Sequence, residues 1–221
     1  MAYDLEEQEQ IATFKAFWSK YGNLIMWVLI LALGSFAVYN YWKKMQRDQS
    51  VEASALYESM TDAAGAKDNA KAQRIAGDIQ SKFKRTAYAQ MSALAAAKTA
   101  FEANDLKAAR AQLQWVIDNG NDEYKSVAQL RLAGVLLDEK DYAGAMKLLD
   151  AQYLPQFSAE VADRKGDVLV AQNKITEARA AYVQALAAMG PKHPGSQLVR
   201  IKLEAIGGTA PEAKDAAKAA A

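Results

Sequence analysis

The single histidine is the first residue to consider for chemistry, because imidazole can serve as a general base or a metal ligand near neutral pH. His193 lies between Pro191 and Pro194, with no second histidine in the chain, and we expect no carboxylate near it. A metal site needs several ligands, and a general base needs a partner that orients it. The sequence therefore predicts that His193 is a loop residue, with no metal and no cofactor bound by the chain.

The sequence also offers few candidates for a catalytic nucleophile. Serine stands next to lysine at Ser81 and Lys82 and again at Lys125 and Ser126, but such adjacency is common and fits a solvated helix surface. The chain has no cysteine, and it contains no glycine-rich phosphate loop, nucleophile elbow or His-Glu-x-x-His helix. We expect a protein that is not an enzyme.

The charge balance excludes another class. With 27 basic and 26 acidic side chains the formal net charge is +1. Nucleic acid is bound through a strong basic field, which this composition does not supply. We expect no nucleic-acid partner.

An uncharged apolar run over residues 21–42 points to the lipid bilayer instead. Its 22 residues exceed the roughly 20 that a helix needs to cross the hydrocarbon core. Tyr21 at one end and Tyr39, Tyr41 and Trp42 at the other suit the two membrane interfaces. A cleaved signal peptide fits poorly, because the start of the chain is acidic and the run is too long. A buried core helix would show a polar stripe, which residues 24–38 lack.

The rest of the chain is predicted to be helical hairpins, which gives an all-α fold. Apolar residues recur every three or four positions and short polar turns interrupt them. We divide the chain into an acidic segment at 1–20, a transmembrane helix at 21–42, a helical domain at 43–206 and a disordered Ala/Lys tail at 207–221. The tail is too poor in large apolar residues to pack.

The turns come at a repeating interval. Aligning them superimposes Ala109, Ala145 and Ala178, which are 36 and 33 positions apart. Three further columns of the alignment agree. Large residues follow these alanines by four positions, small residues precede them by twelve, and another apolar set precedes them by nine. These columns are Leu113, Leu149 and Tyr182; Ala97, Ala133 and Gly166; and Ala100, Leu136 and Leu169. The register predicts that Ala145 is buried and that Ala143 faces outward.

Small residues at fixed positions let two helices cross closely, and a larger neighbour fills the adjoining groove. The period and the columns resemble tetratricopeptide repeats over about residues 88–190. That resemblance implies a right-handed α-solenoid. An earlier unit, from about residue 51 to 83, places Met60 where a small residue belongs and is predicted to be a degenerate first repeat. The alternative is an irregular helical bundle.

The whole arrangement resembles a more specific family, the ancillary subunits of the bacterial SecYEG translocon. One membrane helix near an acidic N-terminus is followed directly by degenerate repeats. Four stretches carry the likeness, namely residues 9–18, 130–133, 161–167 and 201–203. The resemblance implies a cytoplasmic N-terminus, one inner-membrane helix and a periplasmic repeat domain. It also implies partners, namely SecYEG and a membrane-anchored periplasmic chaperone of the peptidyl-prolyl isomerase type, and a role in handing on exported proteins.

The charges around the membrane helix favour the opposite topology by a small margin. Lys15 and Lys20 precede the helix, whereas Lys43, Lys44 and Arg47 follow it. Positive charges tend to stay in the cytoplasm, although long domains are translocated largely regardless of charge. The alternative function is therefore a cytoplasm-facing repeat adaptor that organises another cell-envelope complex.

In tetratricopeptide proteins the first helix of each pair lines the binding groove. The register places seven residues on that surface: Lys98, Phe101, Leu130, Gly134, Leu137, Asp163 and Asp167. Phe101 and Leu137 are the predicted anchors, because large apolar side chains on a concave face often dominate binding. The alternative is that both pack inside the superhelix.

Overall fold

The computed structural model describes residues 2–190 and 193–209, with the backbone alone described for residues 2–6 and 8. Within that part of the chain every regular element is helical, as predicted. The helices are α1 (Ala2–Gly65), α2 (Asn69–Lys82), α3 (Ala87–Glu102), α4 (Leu106–Asn119), α5 (Asp122–Asp138), α6 (Tyr142–Leu149), a 3₁₀ turn (Pro155–Phe157), α7 (Ser158–Ala171), α8 (Ile175–Met189) and α9 (Ser196–Ala205). The predicted disorder of the tail falls mainly on residues 210–221, which lie outside the described residues.

The chain divides into two compact units, the first ending at Val51 and the second beginning at Glu52. In the first unit, α1 is the one helix of the described chain that is long and apolar enough to cross a membrane. Large apolar side chains such as Leu24, Leu31 and Val38 are exposed along it. The boundaries predicted at residues 20 and 42 remain predictions.

In the second unit, helical pairs are joined by turns of one geometry. Each turn places a non-glycine residue in the left-handed region, at φ between 58° and 63°; these residues are Lys67, Asn104, Lys140 and Asn173. The N–H of the next residue bonds back across the helix end, as from Asp105 to the Ala100 carbonyl at 2.8 Å. This is the Schellman arrangement, which satisfies carbonyls at the helix C-terminus. The predicted degenerate first repeat, at about residues 51–83, therefore has the same turn as the three repeats predicted after it.

The residue after each left-handed position starts the second helix. Asp68, Asp105 and Asp141 cap α2, α4 and α6 by accepting a hydrogen bond from the backbone N–H three residues on. Lys174 takes this place before α8 and offers no side-chain cap. Since an aspartate N-cap is worth about 1 kcal/mol, the fourth turn has the weakest local signal.

Burial confirms the predicted register. Ala109, Ala145 and Ala178 are completely buried, and the other three columns are buried in all three repeats. Ala143 is exposed, as the alignment required. These columns form the seams between consecutive helices, so they set where the outward-facing positions lie.

Two positions show how the seams are filled. A Cβ at Gly166 would lie 2.3 Å from the Tyr182 ring, so the aromatic ring fits only against glycine. In the first repeat the two sizes are exchanged. Met60 is fully buried where later repeats have a small residue, and Ala76 stands where they have a large one. Both belong to one apolar cluster. Exchanging large and small residues between facing positions conserves core volume, which cores tolerate well.

Candidate functional site

A groove of about 410 Å³ lies on the surface formed by the first helices of the repeats. It is lined by residues of α3, α5 and α7 together with one from α4: Ala97, Lys98, Phe101, Leu113, Arg131, Gly134, Val135, Asp138 and Arg164. Ala97, Leu113 and Val135 are core residues that form its apolar floor. The groove is thus an apolar trough with a charged rim.

Phe101 is the most exposed apolar feature of this groove. Its side chain is 43% exposed at the end of α3. Leu137, the other predicted anchor, occupies the equivalent place on α5 but is half-buried against the cluster that contains Leu113 and Leu136. The two predicted anchors therefore differ, with Phe101 available to a partner and Leu137 largely engaged in packing.

The charged rim is only partly neutralised from within the chain. Lys98 pairs with Glu102 at 2.6 Å on the exposed side of α3. Arg164 contacts Asp167 at 3.3 Å, and its guanidinium lies over Gly134, where an added Cβ would meet it at 3.7 Å. Arg131 is exposed and forms no ion pair with a described residue. Such rim charges govern encounter rate and specificity more than affinity.

The predicted acidic residues lie elsewhere, in a network closed by α9. Lys202 donates to Asp163 at 2.8 Å and approaches Asp167 at 2.8 Å. The Tyr182 hydroxyl donates to Asp167 at 2.9 Å. Burial raises the pKa of Asp163 above its ordinary value, although the hydrogen bond from Lys202 opposes that shift. Burial and the nearby Asp167 also raise the pKa of Tyr182.

The seven predicted groove residues thus separate into three groups. Lys98, Phe101 and Gly134 line the groove together. Leu130 and Leu137 pack against the core beside it. Asp163 and Asp167 are held by Lys202. The sequence alignment missed Arg131 and Arg164, although both stand within the stretches that carry the family resemblance.

Comparison with known proteins agrees with this architecture. Residues 15–208 match the tetratricopeptide repeat-like domain family. The ancillary SecYEG translocon subunit of Neisseria gonorrhoeae is 32% identical over 208 residues, which cover 93% of this chain and all of the relative. The protein of the same name from Haemophilus influenzae is 32% identical over 90% of this chain and 94% of its own length.

The chain belongs to this tetratricopeptide repeat-like family of ancillary SecYEG translocon subunits. The Escherichia coli relative of that name is 29% identical over 180 residues, or 80% of this chain and 85% of the relative. No solved structure matches the chain. Because the matched region includes both the apolar run of residues 21–42 and the repeats, the family likeness extends beyond the repeat fold.

The residues first considered for chemistry are also placed by the structure. The sequence suggested that His193 has no carboxylate near it, which is wrong. Glu160 of α7 brings a carboxylate oxygen within 3.8 Å of the imidazole Nε2. The N–H of Gly195 donates to Nδ1 at 3.1 Å. This contact spans 33 positions of sequence, so the sequence neighbours of His193 do not indicate it.

Neither serine stands in a catalytic arrangement. The Ser81 hydroxyl donates to the Asp78 carbonyl at 3.0 Å, and the Ser126 hydroxyl donates to the Asp122 carbonyl at 2.8 Å. Both hydroxyls therefore satisfy their own helices rather than a lysine. Among the described residues, no group of three or more histidines, aspartates or glutamates could hold a metal ion.

Proposed function

We propose that the chain is a non-enzymatic interaction scaffold of the bacterial inner membrane that associates with the SecYEG translocon. The observation that carries this proposal is the likeness to relatives named ancillary SecYEG translocon subunits over nearly their whole length. The groove beside Phe101 supports it, because stacked helical pairs bind partner segments along such a face.

The proposal has a finer part. The repeat domain faces the periplasm, the N-terminus lies in the cytoplasm, and α1 crosses the membrane once at residues 21–42. In the periplasm the domain links the translocon to a membrane-anchored chaperone of the peptidyl-prolyl isomerase type. Newly exported proteins then pass from one to the other.

One observation favours a second candidate. Three cationic residues follow the span and two precede it, which by itself would keep the repeats in the cytoplasm. The chain would then be a cytoplasm-facing adaptor for another envelope complex. The margin is a single charge, and a long translocated domain is governed weakly by such a margin.

Protease accessibility separates the two candidates. Protease added to intact spheroplasts should degrade the repeat domain and leave a membrane-protected fragment that begins at the N-terminus. A cytoplasmic protein serves as the control for spheroplast integrity. Repeats that stay protected until the membrane is disrupted would exclude the periplasmic topology and favour the cytoplasmic adaptor.

The groove is tested by comparing Phe101→Ala with Leu137→Ala in the full-length chain. The two measurements are the unfolding midpoint in detergent and crosslinking to SecYEG or the chaperone in membranes. Leu198→Ala provides the matched control, because Leu198 is 57% exposed and is not among the groove residues. We expect Phe101→Ala to lose crosslinking while keeping its stability.

Leu137→Ala should lose stability, because the side chain packs on the core. Unchanged crosslinking in Phe101→Ala would move the contact away from the groove. Equal loss of crosslinking in Leu198→Ala would mean that exposed apolar area in general, rather than the groove, recruits the partner.

A further inference from the structure

The part of α1 that leads into the predicted span, residues 11–21, is strongly one-sided. Five large apolar side chains lie on one arc of about a third of the helix circumference, at about 3.6 residues per turn. They are Ile11, Phe14, Phe17, Trp18 and Tyr21, each between 40% and 64% exposed. This apolar face contains no charged residue over residues 11–21.

The remaining residues of this segment share the opposite arc. They are Ala12, Thr13, Lys15, Ala16, Ser19 and Lys20, all small, polar or basic. The partition of residues 11–21 is complete, since no large apolar residue lies on the polar side. Residues 24–38, by contrast, are uncharged all the way round the helix.

This difference matters because lipid surrounds a membrane-spanning helix on every side. At a given depth, all faces of a helix that runs along the membrane normal meet the same solvent. A helix with an apolar and a polar side fits a boundary that runs along its axis, with lipid on one side and water on the other. Residues 11–21 therefore suit a different orientation from residues 24–38.

The side chains on this face are of the kind that favours the lipid interface. Aromatic rings concentrate where the acyl chains meet the headgroups. Here Phe14 and Trp18 stack with ring centroids 6.2 Å apart, and the rings of Phe17 and Tyr21 lie 5.1 Å apart. Lys15 and Lys20 lie near the two edges of the aromatic arc, where a lysine can reach anionic headgroups.

We propose that residues 11–21 lie along the membrane surface as an amphipathic anchor, with the apolar face in the lipid interface. The inference rests on the membrane-spanning role proposed above, and it moves the start of the upright span from residue 21 to about residue 24. α1 is continuous through Gly22 in the structure. The proposal requires the bilayer to bend the helix at Gly22 and Asn23, where glycine costs about 1 kcal/mol of helix propensity relative to alanine.

The test exploits the absence of cysteine from the chain. Single cysteines carrying a nitroxide label are placed on the apolar face, as Phe14→Cys and Phe17→Cys, and on the opposite face, as Ala12→Cys and Ala16→Cys. The full-length chain is reconstituted in vesicles of phosphatidylethanolamine and phosphatidylglycerol. Electron paramagnetic resonance then compares the accessibility of each label to oxygen and to a water-soluble nickel complex.

We expect a severalfold higher ratio of oxygen to nickel accessibility at residues 14 and 17 than at 12 and 16. Equal, nickel-rich values at all four positions would mean an upright helix in water and would overturn the proposal. Equal, oxygen-rich values would mean that the span starts earlier, which also overturns it. Shielding that occurs in native membranes but not in the vesicles would assign the face to a protein partner instead.

Two further measurements serve as a control for the span and as an independent test of the anchor. A label at Leu31→Cys must be rich in oxygen, and failure there would contradict the membrane span itself rather than the anchor. Trp18 provides a probe that leaves the apolar face intact, once Trp27, Trp42 and Trp115 are replaced by phenylalanine. Brominated lipids should quench its fluorescence, and the absence of quenching would overturn the proposal.

Discussion

The groove beside Phe101 and the network around Lys202 lie on equivalent surfaces of successive repeats, yet one is open and the other closed. Asp163 stands where the preceding repeat has Leu130, and Asp167 stands where it has Gly134. At the groove, Gly134 leaves space that Arg164 only borders. At the network, α9 sends Lys202 between the two carboxylates. The repeat register thus decides which side chains face outward, and the following helix decides whether they remain available.

The network also explains how two acidic residues are tolerated near the end of the array. Asp163, Asp167 and Lys202 each retain only 16% to 25% of their side-chain exposure. Partly buried charges need both a counter-charge and hydrogen bonds to offset their lost hydration. Lys202 supplies a counter-charge to both carboxylates, Arg164 adds one to Asp167, and Tyr182 supplies a further donor. The closed end thus ties α9 to α7, whereas the groove keeps Phe101 exposed and Arg131 without an ion pair to a described residue.

Lys202→Met should have the largest effect, because it removes the cation that both carboxylates share and leaves only the contact of Arg164 with Asp167. Removing one partner of a buried pair costs about 3 to 5 kcal/mol, and the remaining exposure of this network favours the lower end, about 3 kcal/mol. Urea unfolding of the full-length chain in detergent, followed by circular dichroism, measures the loss.

Lys98→Met is the matched control, since its pair with Glu102 is more than half exposed. That change should cost no more than about 0.5 kcal/mol. Equal losses in the two variants would show that the closed end is no more dependent on its cation than the open groove.

Ala145→Leu should come next. Ala145 is completely buried in the seam that joins consecutive helices, so added carbon atoms overpack it and destabilise by about 2 kcal/mol. Ala143→Leu, two residues earlier on the exposed side of α6, should change the unfolding midpoint little. Similar shifts in both variants would contradict the register on which the equivalence of the two surfaces depends.

That register could be predicted from the sequence because small and large residues recur at fixed distances from each turn. Ala109, Ala145 and Ala178 gave the spacing, and their burial follows from it. The first repeat was harder to recognise. Met60 breaks the column of small residues, and its compensation by Ala76 becomes visible only when the facing column is compared as well.

Whether the outward-facing side chains are exposed or engaged in contacts could not be predicted in the same way. The alignment treats Phe101 and Leu137 as equivalent, but only Leu137 packs against the core. Nor could it pair Asp163 with Lys202, because α9 lies outside the repeats and 39 positions away. Repeat spacing fixes what a position faces within the array, whereas contacts with a non-repeating helix depend on how that helix docks.

Two glycine substitutions should sharpen the comparison through effects of opposite sign. Gly134→Ala adds a Cβ at an ordinary 3.7 Å from Arg164, so helix propensity should stabilise the chain by about 0.5 to 1 kcal/mol. Gly166→Ala drives a Cβ into the Tyr182 ring, and overpacking should outweigh propensity to leave a net loss of about 1 kcal/mol. Stabilisation by both substitutions in denaturant unfolding would mean that the closed end is as loosely filled as the groove.

The smallest effect concerns the pH dependence of the closed end. Burial raises the pKa of Asp163 in the folded chain, so the folded state holds the proton more tightly than the unfolded state. The linked stability is present below the unfolded pKa and is lost as pH rises through the folded value. Asparagine resembles the neutral form and does not titrate. The stability of Asp163→Asn relative to the native chain should therefore increase between about pH 4 and pH 7.

Urea midpoints of both proteins across that range measure this trend. A decrease instead would show that attraction to Lys202 outweighs burial, so that Asp163 is ionised more readily in the folded chain. The Lys202→Met background decides the cause, because the lysine opposes the shift. In the absence of Lys202, burial and the repulsion from Asp167 should raise the pKa of Asp163 further. The stability difference between the two proteins should then depend more steeply on pH. An unchanged slope in that background would mean that Lys202 holds α9 by geometry and contributes little to the charge state of Asp163.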